Sequence, residues 1–238
     1  MAKSIFITGG SGYIGSTLIA HALASGYSVT ALSRTPTSDA KLSSLGATPV
    51  RGSLTTLDVL TSAARSADVV INIADCIADD YSVSKEQRFQ TNDAANDALA
   101  SGLEGSGKPL VLTGGALYSA ADPEGGETDE ESPGWPEGHW AAFDLGQLRQ
   151  KYVDMGIRVC QVRLAPYVYG RGGSGVGLFM GMWKKAEAGI KIDGGKKCTT
   201  VVHVDDVVKL YLRVAEKGRA GEVCEYQQAG KTAWRCAN

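Results

Sequence analysis

Short apolar runs alternate along the chain with longer stretches in which apolar residues recur every three or four positions. The first run, residues 4–8, precedes a glycine-rich phrase, after which Ile14, Leu18 and Ala22 follow helical spacing. A second run at residues 28–32 completes a strand–helix–strand unit of about thirty residues. The pattern predicts that the chain opens with a parallel βαβ unit.

The same alternation continues along the rest of the chain. Apolar runs predict strands at residues 48–51, 68–73, 110–112, 158–164, 200–203 and 222–226, and helical spacing predicts helices at 56–64, 85–103, 141–155, 178–188 and 205–216. We therefore expect an α/β fold of the Rossmann type, with a doubly wound parallel sheet covered on both faces. Residues 122–138, rich in acids, prolines and glycines, are predicted to be a long loop, either a lid over a binding site or a solvated acidic segment.

The phrase between the first strand and the first helix carries the strongest chemical signal. Glycines at positions 9, 12 and 15 permit a tight turn, close approach of the backbone to a pyrophosphate, and close packing of the helix on the strand. The start of the helix offers unpaired N–H groups and partial positive charge to a phosphate. The phrase therefore predicts a dinucleotide site formed by Gly9, Ser11, Gly12, Tyr13, Ile14 and Gly15, the alternative being a purely structural glycine turn.

The end of the second strand predicts which dinucleotide binds. An NAD site usually has Asp or Glu there, which accepts hydrogen bonds from the ribose 2′-hydroxyl, whereas this chain has Ser33, Arg34 and Thr35. A guanidinium can pair with a 2′-phosphate and stack on adenine, and the neighbouring hydroxyls add donors. We therefore expect NADP(H) to be favoured over NAD(H), the alternative being that Arg34 is a solvated loop residue.

Composition narrows the classes of function. The 238 residues hold 24 Lys and Arg against 26 Asp and Glu, a formal net charge of −2, and no basic run suited to a dedicated nucleic-acid surface. The five cysteines form no C-x-x-C pair, which favours reduced thiols and no metal site. No signal-peptide pattern and no apolar stretch of membrane-spanning length occur, so we expect a cytoplasmic protein that binds neither nucleic acid nor membrane.

Four motifs together resemble the short-chain dehydrogenase/reductase superfamily, in its extended or atypical branch of epimerase/dehydratase-like and NmrA-like proteins. They are Thr8-Gly9-x-x-Gly12-x-x-Gly15, Asn72-Ile73-Ala74, the R-x-x-x-V-Y-G-like phrase at residues 163–170, and the H-V-D-D-V element at residues 203–207. The resemblance implies that Ala74, Pro166, Tyr167 and Val168 flank the nicotinamide half of the cofactor. It also implies a dinucleotide-binding domain at residues 1–165 and a reduced substrate-binding portion at 166–238, which a second copy in a homodimer could complete.

The catalytic pair of the superfamily is absent from its usual place. The family's Tyr-x-x-x-Lys would fall near Gly138 and Ala142, where this chain has neither Tyr nor Lys, and the usual Ser would fall on Gly114. One Tyr-x-x-x-Lys does occur, from Tyr81 to Lys85, but it precedes the fifth strand, so we interpret it as coincidental. Members of the superfamily that lack the pair include working reductases and proteins that bind a cofactor without turnover.

Three side chains are candidates to replace the pair. Thr113 is the hydroxyl nearest the expected serine, although the alternation of side chains along a strand can turn it away. His139, predicted at a helix start, could exchange a proton near neutral pH, and Tyr118 offers a phenol, although a surface position or packing explains these residues as well.

The function that we expect is NADP(H)-dependent oxidation or reduction of a small metabolite at a carbonyl or double bond. The intact cofactor motif favours this hypothesis, whereas the missing catalytic pair keeps two others open. One is a non-redox isomerase or cyclase on the same scaffold. The other is a regulator of the NmrA-like kind, in which NADP(H) occupancy alters a partner-binding surface.

Overall fold

Helices and strands alternate through most of the computed structural model, which describes residues 2–78, 82–124, 126–139, 145–173, 175–189, 200–226 and 235–236. The strands are β1 (Ser4–Thr8), β2 (Ser28–Ser33), β3 (Thr48–Arg51), β4 (Val69–Asn72), β5 (Pro109–Gly115), β6 (Arg158–Leu164), β7 (Tyr167–Tyr169), β8 (Val201–His203), β9 (Glu222–Tyr226) and β10 (Arg235–Cys236). The helices are α1 (Tyr13–Ala24), α2 (Pro36–Ser44), α3 (Leu57–Ser66), α4 (Lys85–Leu103), α5 (Leu145–Asp154), α6 (Gly175–Ala186) and α7 (Val204–Lys217).

Eight of the described strands form one sheet, in the order β10-β9-β6-β5-β4-β1-β2-β3. Seven of them pair in parallel, and the short β10 pairs antiparallel with β9. The direction of the strand order reverses at β1, which lies between β2 and β4. In open parallel sheets a ligand binds at this reversal, beside the carboxyl ends of the strands. The predicted Rossmann-type, doubly wound fold is confirmed.

The alternation of side chains divides the core between the two faces of the sheet. Ile5 and Ile7 of β1 lie in one apolar cluster with residues of α1 and α7, whereas Phe6 lies in a second cluster with residues of α3 and α4. All three side chains are fully buried. Because helices cover both faces, a ligand reaches the sheet at the ends of its strands.

Helix α2 has no counterpart among the predicted elements. Leu42 is its buried residue, so the apolar periodicity of a helix is missing over its nine residues. Its start nevertheless carries a signal, since the Thr35 hydroxyl accepts the Ser38 N–H at 3.1 Å and Pro36 takes the first helical position. Capping residues therefore indicate a helix that the hydrophobic pattern does not.

The bounds of β5 and α5 bear on the predicted site residues. Strand β5 runs on to Gly115 because Thr113, Gly114 and Gly115 continue to pair with β6. Helix α5 is described from Leu145 onward; the predicted start near residue 141 lies outside the described residues, and His139, predicted at the helix start, lies in a bend.

The chain after residue 165 contributes to two places. Strands β7 and β8 form a separate two-stranded parallel sheet beside α6, whereas α7 packs on the central sheet, which β9 extends. The division into residues 1–165 and 166–238 therefore stays a prediction. Across the described parts of the chain, no helix has both the length and the apolar character needed to cross a lipid bilayer.

Candidate cofactor and substrate site

A tight glycine turn joins β1 to α1 at the carboxyl edge of the sheet. Gly9 has a φ of +71°, a left-handed conformation that favours glycine, and its carbonyl accepts the Gly12 N–H at 3.0 Å. A Cβ on Gly15 would lie 2.7 Å from the Gly10 Cα and 2.8 Å from the Gly9 carbonyl carbon. The turn and the helix start therefore approach more closely than any larger residue allows.

The N-terminus of α1 is suited to receive an anion. Gly12 is the N-cap residue and supplies no side-chain hydrogen bond, and the first helical turn has no acidic residue. As at any helix start, the N–H groups of Tyr13 and Ile14 have no acceptor within the helix, and they carry the positive end of the helix dipole. A dinucleotide pyrophosphate fits this arrangement, because its negative charge would meet backbone donors beside a turn of small residues.

The end of β2 carries positive charge close to the glycine turn. Arg34 and Thr35 are exposed, whereas Ser33, predicted as an additional donor, is 1% exposed and its hydroxyl donates to the Thr35 carbonyl at 3.4 Å. Lys41 of α2 donates to the Ser11 carbonyl at 2.6 Å and so joins α2 to the glycine turn. Lys41 is not among the predicted site residues, because α2 lacks the apolar periodicity of a helix; the capping residues of α2 were the available signal.

The carboxyl end of β4 lies directly against the glycine turn. The Ala74 N–H donates to the Thr8 hydroxyl at 3.2 Å, and a Cβ on Gly9 would lie 3.1 Å from the Ala74 nitrogen. Thr8 also donates to the side chain of Asn72, whose amide donates to Asn96 at 2.6 Å. The structure thus brings Ala74 and the glycine turn together across the reversal in strand order.

An ion pair that the sequence argument missed follows Ala74. Arg88 of α4 pairs with the Asp75 carboxylate, to which Asn92 also donates at 3.0 Å. Burial raises the pKa of Asp75, but the hydrogen bonds from Arg88 and Asn92 outweigh burial and hold that pKa below its ordinary value. Arg88 and Asn92 stand four residues apart and share a helix face, which was the available signal.

The structure places the Thr113 hydroxyl in a bridge between three elements. Its Oγ1 donates to the Asn72 carbonyl of β4 at 2.7 Å and lies 2.7 Å from the Tyr211 hydroxyl of α7. Tyr211 is fully buried, and burial raises the pKa of its phenol well above the ordinary value. The Thr113 side chain therefore joins β4, β5 and α7.

Tyr118 lies in the short helical turn that follows β5. Its side chain is half-buried, and burial raises the pKa of its phenol. The positive charges of Arg88 and Arg163 oppose this rise, while the carboxylate of Asp75 adds to it. The phenol thus lies among charged groups that come from the ends of β4, α4 and β6.

The space beside Gly114, where the resemblance predicts a serine, is filled by another side chain. A Cβ on Gly114 would lie 2.6 Å from the Gln161 amide nitrogen and 3.1 Å from the Tyr118 ring. Gln161 is 2% exposed, and its oxygen accepts a hydrogen bond from Arg149 at 2.7 Å. Gln161 therefore packs where a side chain at position 114 would lie, and glycine at 114 leaves it the room to do so.

His139 directly follows the predicted acidic loop at residues 122–138. The His139 ring stacks on Trp135, with ring centroids 4.0 Å apart and an interplanar angle of 15°. The backbone N–H of His139 donates to the Pro136 carbonyl at 3.1 Å. The Trp135 indole in turn donates to the Leu117 carbonyl at 2.8 Å, which attaches the loop to the turn after β5. The positions of Ala142 and Tyr81, which the sequence argument weighed, lie outside the described residues.

Tyr13 ties the segment after β6 to the glycine turn. From the first turn of α1, its hydroxyl donates to the Gly170 carbonyl at 2.7 Å. Val168 is buried where β7 pairs with β8, Tyr167 is half-buried, and Pro166 is exposed. The structure therefore connects the segment of Pro166, Tyr167 and Val168 to the start of α1.

Two proteins of known sequence resemble the chain over most of its length. An uncharacterised protein of Saccharomyces cerevisiae is 30% identical over 222 residues, which cover 92% of this chain and 72% of that protein. The decarboxylating sterol-4-alpha-carboxylate 3-dehydrogenase of Dictyostelium discoideum is 28% identical over 227 residues, which cover 91% of this chain and 68% of that enzyme.

A solved structure shares the fold, and the sequence pattern identifies the family. The crystal structure of dTDP-glucose 4,6-dehydratase from Bacillus anthracis, in complex with NAD, matches with a TM-score of 0.72 at 22% identity, over 95% of this chain and 76% of that one. The pattern of the NAD dependent epimerase/dehydratase family matches residues 5–227 and so includes every site described above. The chain belongs to the NAD dependent epimerase/dehydratase family of NAD(P)-dependent enzymes.

Proposed function

We propose that this family member is an NADP(H)-dependent oxidoreductase that acts on a carbonyl or double bond of a small metabolite. The observation that carries the proposal is the open, glycine-lined start of α1, with Ala74 on the β4 side and Arg34 on the β2 side. Similarity to a dehydrogenase supports redox chemistry. The nicotinamide ring, when bound, would give or accept a hydride.

The residues around the end of β2 support NADP(H) over NAD(H). Arg34 is exposed there, and Lys41 holds its ammonium group at the glycine turn, 2.6 Å from the Ser11 carbonyl. Asp39, in the first turn of α2, forms an ion pair with Arg51, so its negative charge is compensated. The positive charges of Arg34 and Lys41, with the carboxylate of Asp39 compensated by Arg51, favour binding of a 2′-phosphate over a free ribose hydroxyl.

We propose Tyr118 as the proton donor to the substrate. The phenol, whose pKa burial raises from an ordinary value of 10.0, is protonated at neutral pH and can donate to a developing oxyanion. The positive charges of Arg88 and Arg163 oppose that rise and would stabilise the phenolate once it forms. Thr113 is less suited, since its hydroxyl already contacts Asn72 and Tyr211.

A second function, cofactor sensing without turnover, is supported by the packing at Gly114. Gln161 fills the place of the usual serine, and the Tyr-x-x-x-Lys pair is missing from its usual positions. A site with an intact cofactor half and an altered catalytic half would report occupancy to a partner. This function requires a partner whose affinity differs between the protein with NADP⁺, with NADPH and with neither.

Calorimetric titration of the nucleotide-free protein with NADPH, NADP⁺ and NADH tests the cofactor. We expect NADPH to bind more tightly than NADH, and Arg34→Ala to weaken NADPH binding by about 1.5–3 kcal/mol, roughly 10- to 150-fold, the range of a charge-assisted hydrogen bond. NADH binding should change by less than twofold. Arg213→Ala, which removes an exposed arginine of α7, is the matched control. If none of the three nucleotides binds, the oxidoreductase proposal is wrong.

Turnover separates the two functions. We expect NADPH oxidation with at least one member of a panel of small ketones, aldehydes and enones, and a fall of at least 100-fold in Tyr118→Phe, as for the loss of a general acid. NADPH affinity should stay the same in that variant. Cofactor binding with no turnover on the panel, together with a partner that distinguishes NADP⁺ from NADPH, would favour the sensing function.

A further inference from the structure

The turn that follows β7 is held on two sides. Tyr13 donates to the Gly170 carbonyl at 2.7 Å, and Arg171 donates to the Asp205 carboxylate at 2.6 Å. A Cβ on Gly173 would lie 2.6 Å from the Tyr13 ring, so this ring packs directly on the turn. We call residues 170–173 the clamp turn; it leads from β7 toward α6.

The backbone of the clamp turn needs these contacts. Gly170 and Gly172 have φ values of +114° and +75°, and Arg171, which is not glycine, has a φ of 50°. A Cβ on Gly170 would lie 2.6 Å from Cδ2 of His203, so the turn also packs on the end of β8. Such a backbone persists only when its surroundings hold it in place.

Both attachments of the clamp turn lead to α1. Tyr13 lies in the first turn of α1 and holds Gly170 directly. Asp205, which holds Arg171, lies 3.6 Å from Nε2 of His21, nearer the end of α1. The clamp turn is therefore placed by the same helix whose start faces the glycine turn.

We propose that Tyr13 is a positioning residue that couples the cofactor site to the clamp turn, which lies in the predicted substrate-binding portion at residues 166–238. The inference rests on the proposed function, because it needs cofactor phosphates at the start of α1. The backbone N–H of Tyr13 belongs to that helix start, and its side chain holds the clamp turn. A cofactor that immobilises the helix start therefore also immobilises the clamp turn and the beginning of α6. In this way NADP(H) orders the substrate side before a substrate arrives.

Hydrogen–deuterium exchange of the full chain tests the coupling, in peptides that cover residues 167–180, with and without saturating NADPH. In the wild type we expect NADPH to slow exchange in the clamp turn at least fivefold. Tyr13→Phe removes one oxygen and one hydrogen bond, so exchange there in the free protein should rise about fivefold, as for one neutral hydrogen bond. The slowing of clamp-turn exchange by saturating NADPH should then fall below twofold.

Two further variants make the test specific. Tyr27→Phe is the matched control, because it also removes a phenolic hydroxyl that donates a hydrogen bond, here to Glu216 at 2.9 Å. Tyr27 lies just before β2, so in this variant the clamp turn should exchange as in the wild type. Gly173→Ala perturbs the same contact from the other side, because its Cβ would displace the Tyr13 ring, and should also speed exchange in the clamp turn. A purely structural role for Tyr13 would instead speed exchange along the whole of α1.

Failure of this inference and failure of the proposed function give different results. If NADPH does not bind the wild type, the proposed function is wrong, and coupling to this cofactor is wrong with it, whereas faster exchange in free Tyr13→Phe would still show that Tyr13 holds the clamp turn. If NADPH binds and slows exchange equally in the wild type and in Tyr13→Phe, the coupling through Tyr13 is wrong while the proposed function stands.

Discussion

Gly15 occupies the third position of α1, where the helix lies against the turn that precedes it. A Cβ there would stand 2.7 Å from the Gly10 Cα and 2.8 Å from the Gly9 carbonyl carbon. Carbon atoms in contact prefer about 3.5–4.0 Å, so Gly15→Ala requires a separation of close to 1 Å. Both opposing atoms are backbone and cannot rotate away, so the turn or the helix must move.

The net effect on stability follows from two opposing contributions. Overpacking of this kind costs about 1–3 kcal/mol, and sometimes more, while alanine in place of glycine stabilises a helix by about 1 kcal/mol. We expect Gly15→Ala to lower the free energy of unfolding by up to about 2 kcal/mol. At about 2–4 °C for each kcal/mol in a protein of this size, the Tm should fall by up to about 8 °C. The displaced N–H groups should weaken NADPH binding at least tenfold, since hydrogen bonds depend steeply on geometry.

Thermal unfolding with and without NADPH measures both effects, and Gly181→Ala is the matched control. Gly181 lies within α6, and among the described residues a Cβ there would meet no heavy atom within 4 Å apart from its chain neighbours and the nearby backbone of its own helix. The control should gain about 0.5–1 kcal/mol from helix propensity alone and keep the stabilisation by NADPH. The steric argument is refuted if Gly15→Ala unfolds at the temperature of the wild type or above and still binds NADPH within twofold.

Two other perturbations test the contacts of the sheet. Thr113→Val removes the partner of the buried Tyr211 hydroxyl, so we expect a loss of about 1–3 kcal/mol in urea unfolding with NADPH affinity unchanged; equal stability would show that this bridge contributes nothing. The backbone and side chain of Ser4 donate hydrogen bonds that lower the pKa of Asp68, so its contribution to stability should be present above about pH 4 and be lost as the pH falls through its lowered pKa. Urea midpoints between about pH 2.5 and 7 should therefore fall less steeply with acid in Asp68→Asn, and identical slopes would refute this assignment.

The sheet and its order of elements could be predicted because their causes are local. An apolar run between turn residues defines a buried strand, and β6 and β9 begin and end at the predicted residues, 158–164 and 222–226. Helix α2 escaped the prediction because one buried leucine gives no periodicity, and β7 because three residues are too few to show a pattern. These elements depend on caps and neighbouring strands rather than on their own apolar content.

The site was predictable where one stretch of backbone forms it. The glycine turn is such a stretch, and its steric reasons are visible in the spacing of Gly9, Gly12 and Gly15. The pairing of Asp75 with Arg88, and the approach of Lys41 to the glycine turn, join distant parts of the chain. Such contacts depend on how helices pack on the sheet, which no local pattern of residues contains.

The packing of Gln161 against Gly114 constrains the order in which this protein can change. A serine introduced at position 114 meets the Gln161 amide, which Arg149 and burial hold in place, so that step alone lowers stability. Shortening Gln161 first opens space but removes the hydrogen bond that it accepts from Arg149. The effect of a substitution at either position therefore depends on the residue at the other, so a larger residue at 114 is tolerated only together with a shorter one at 161.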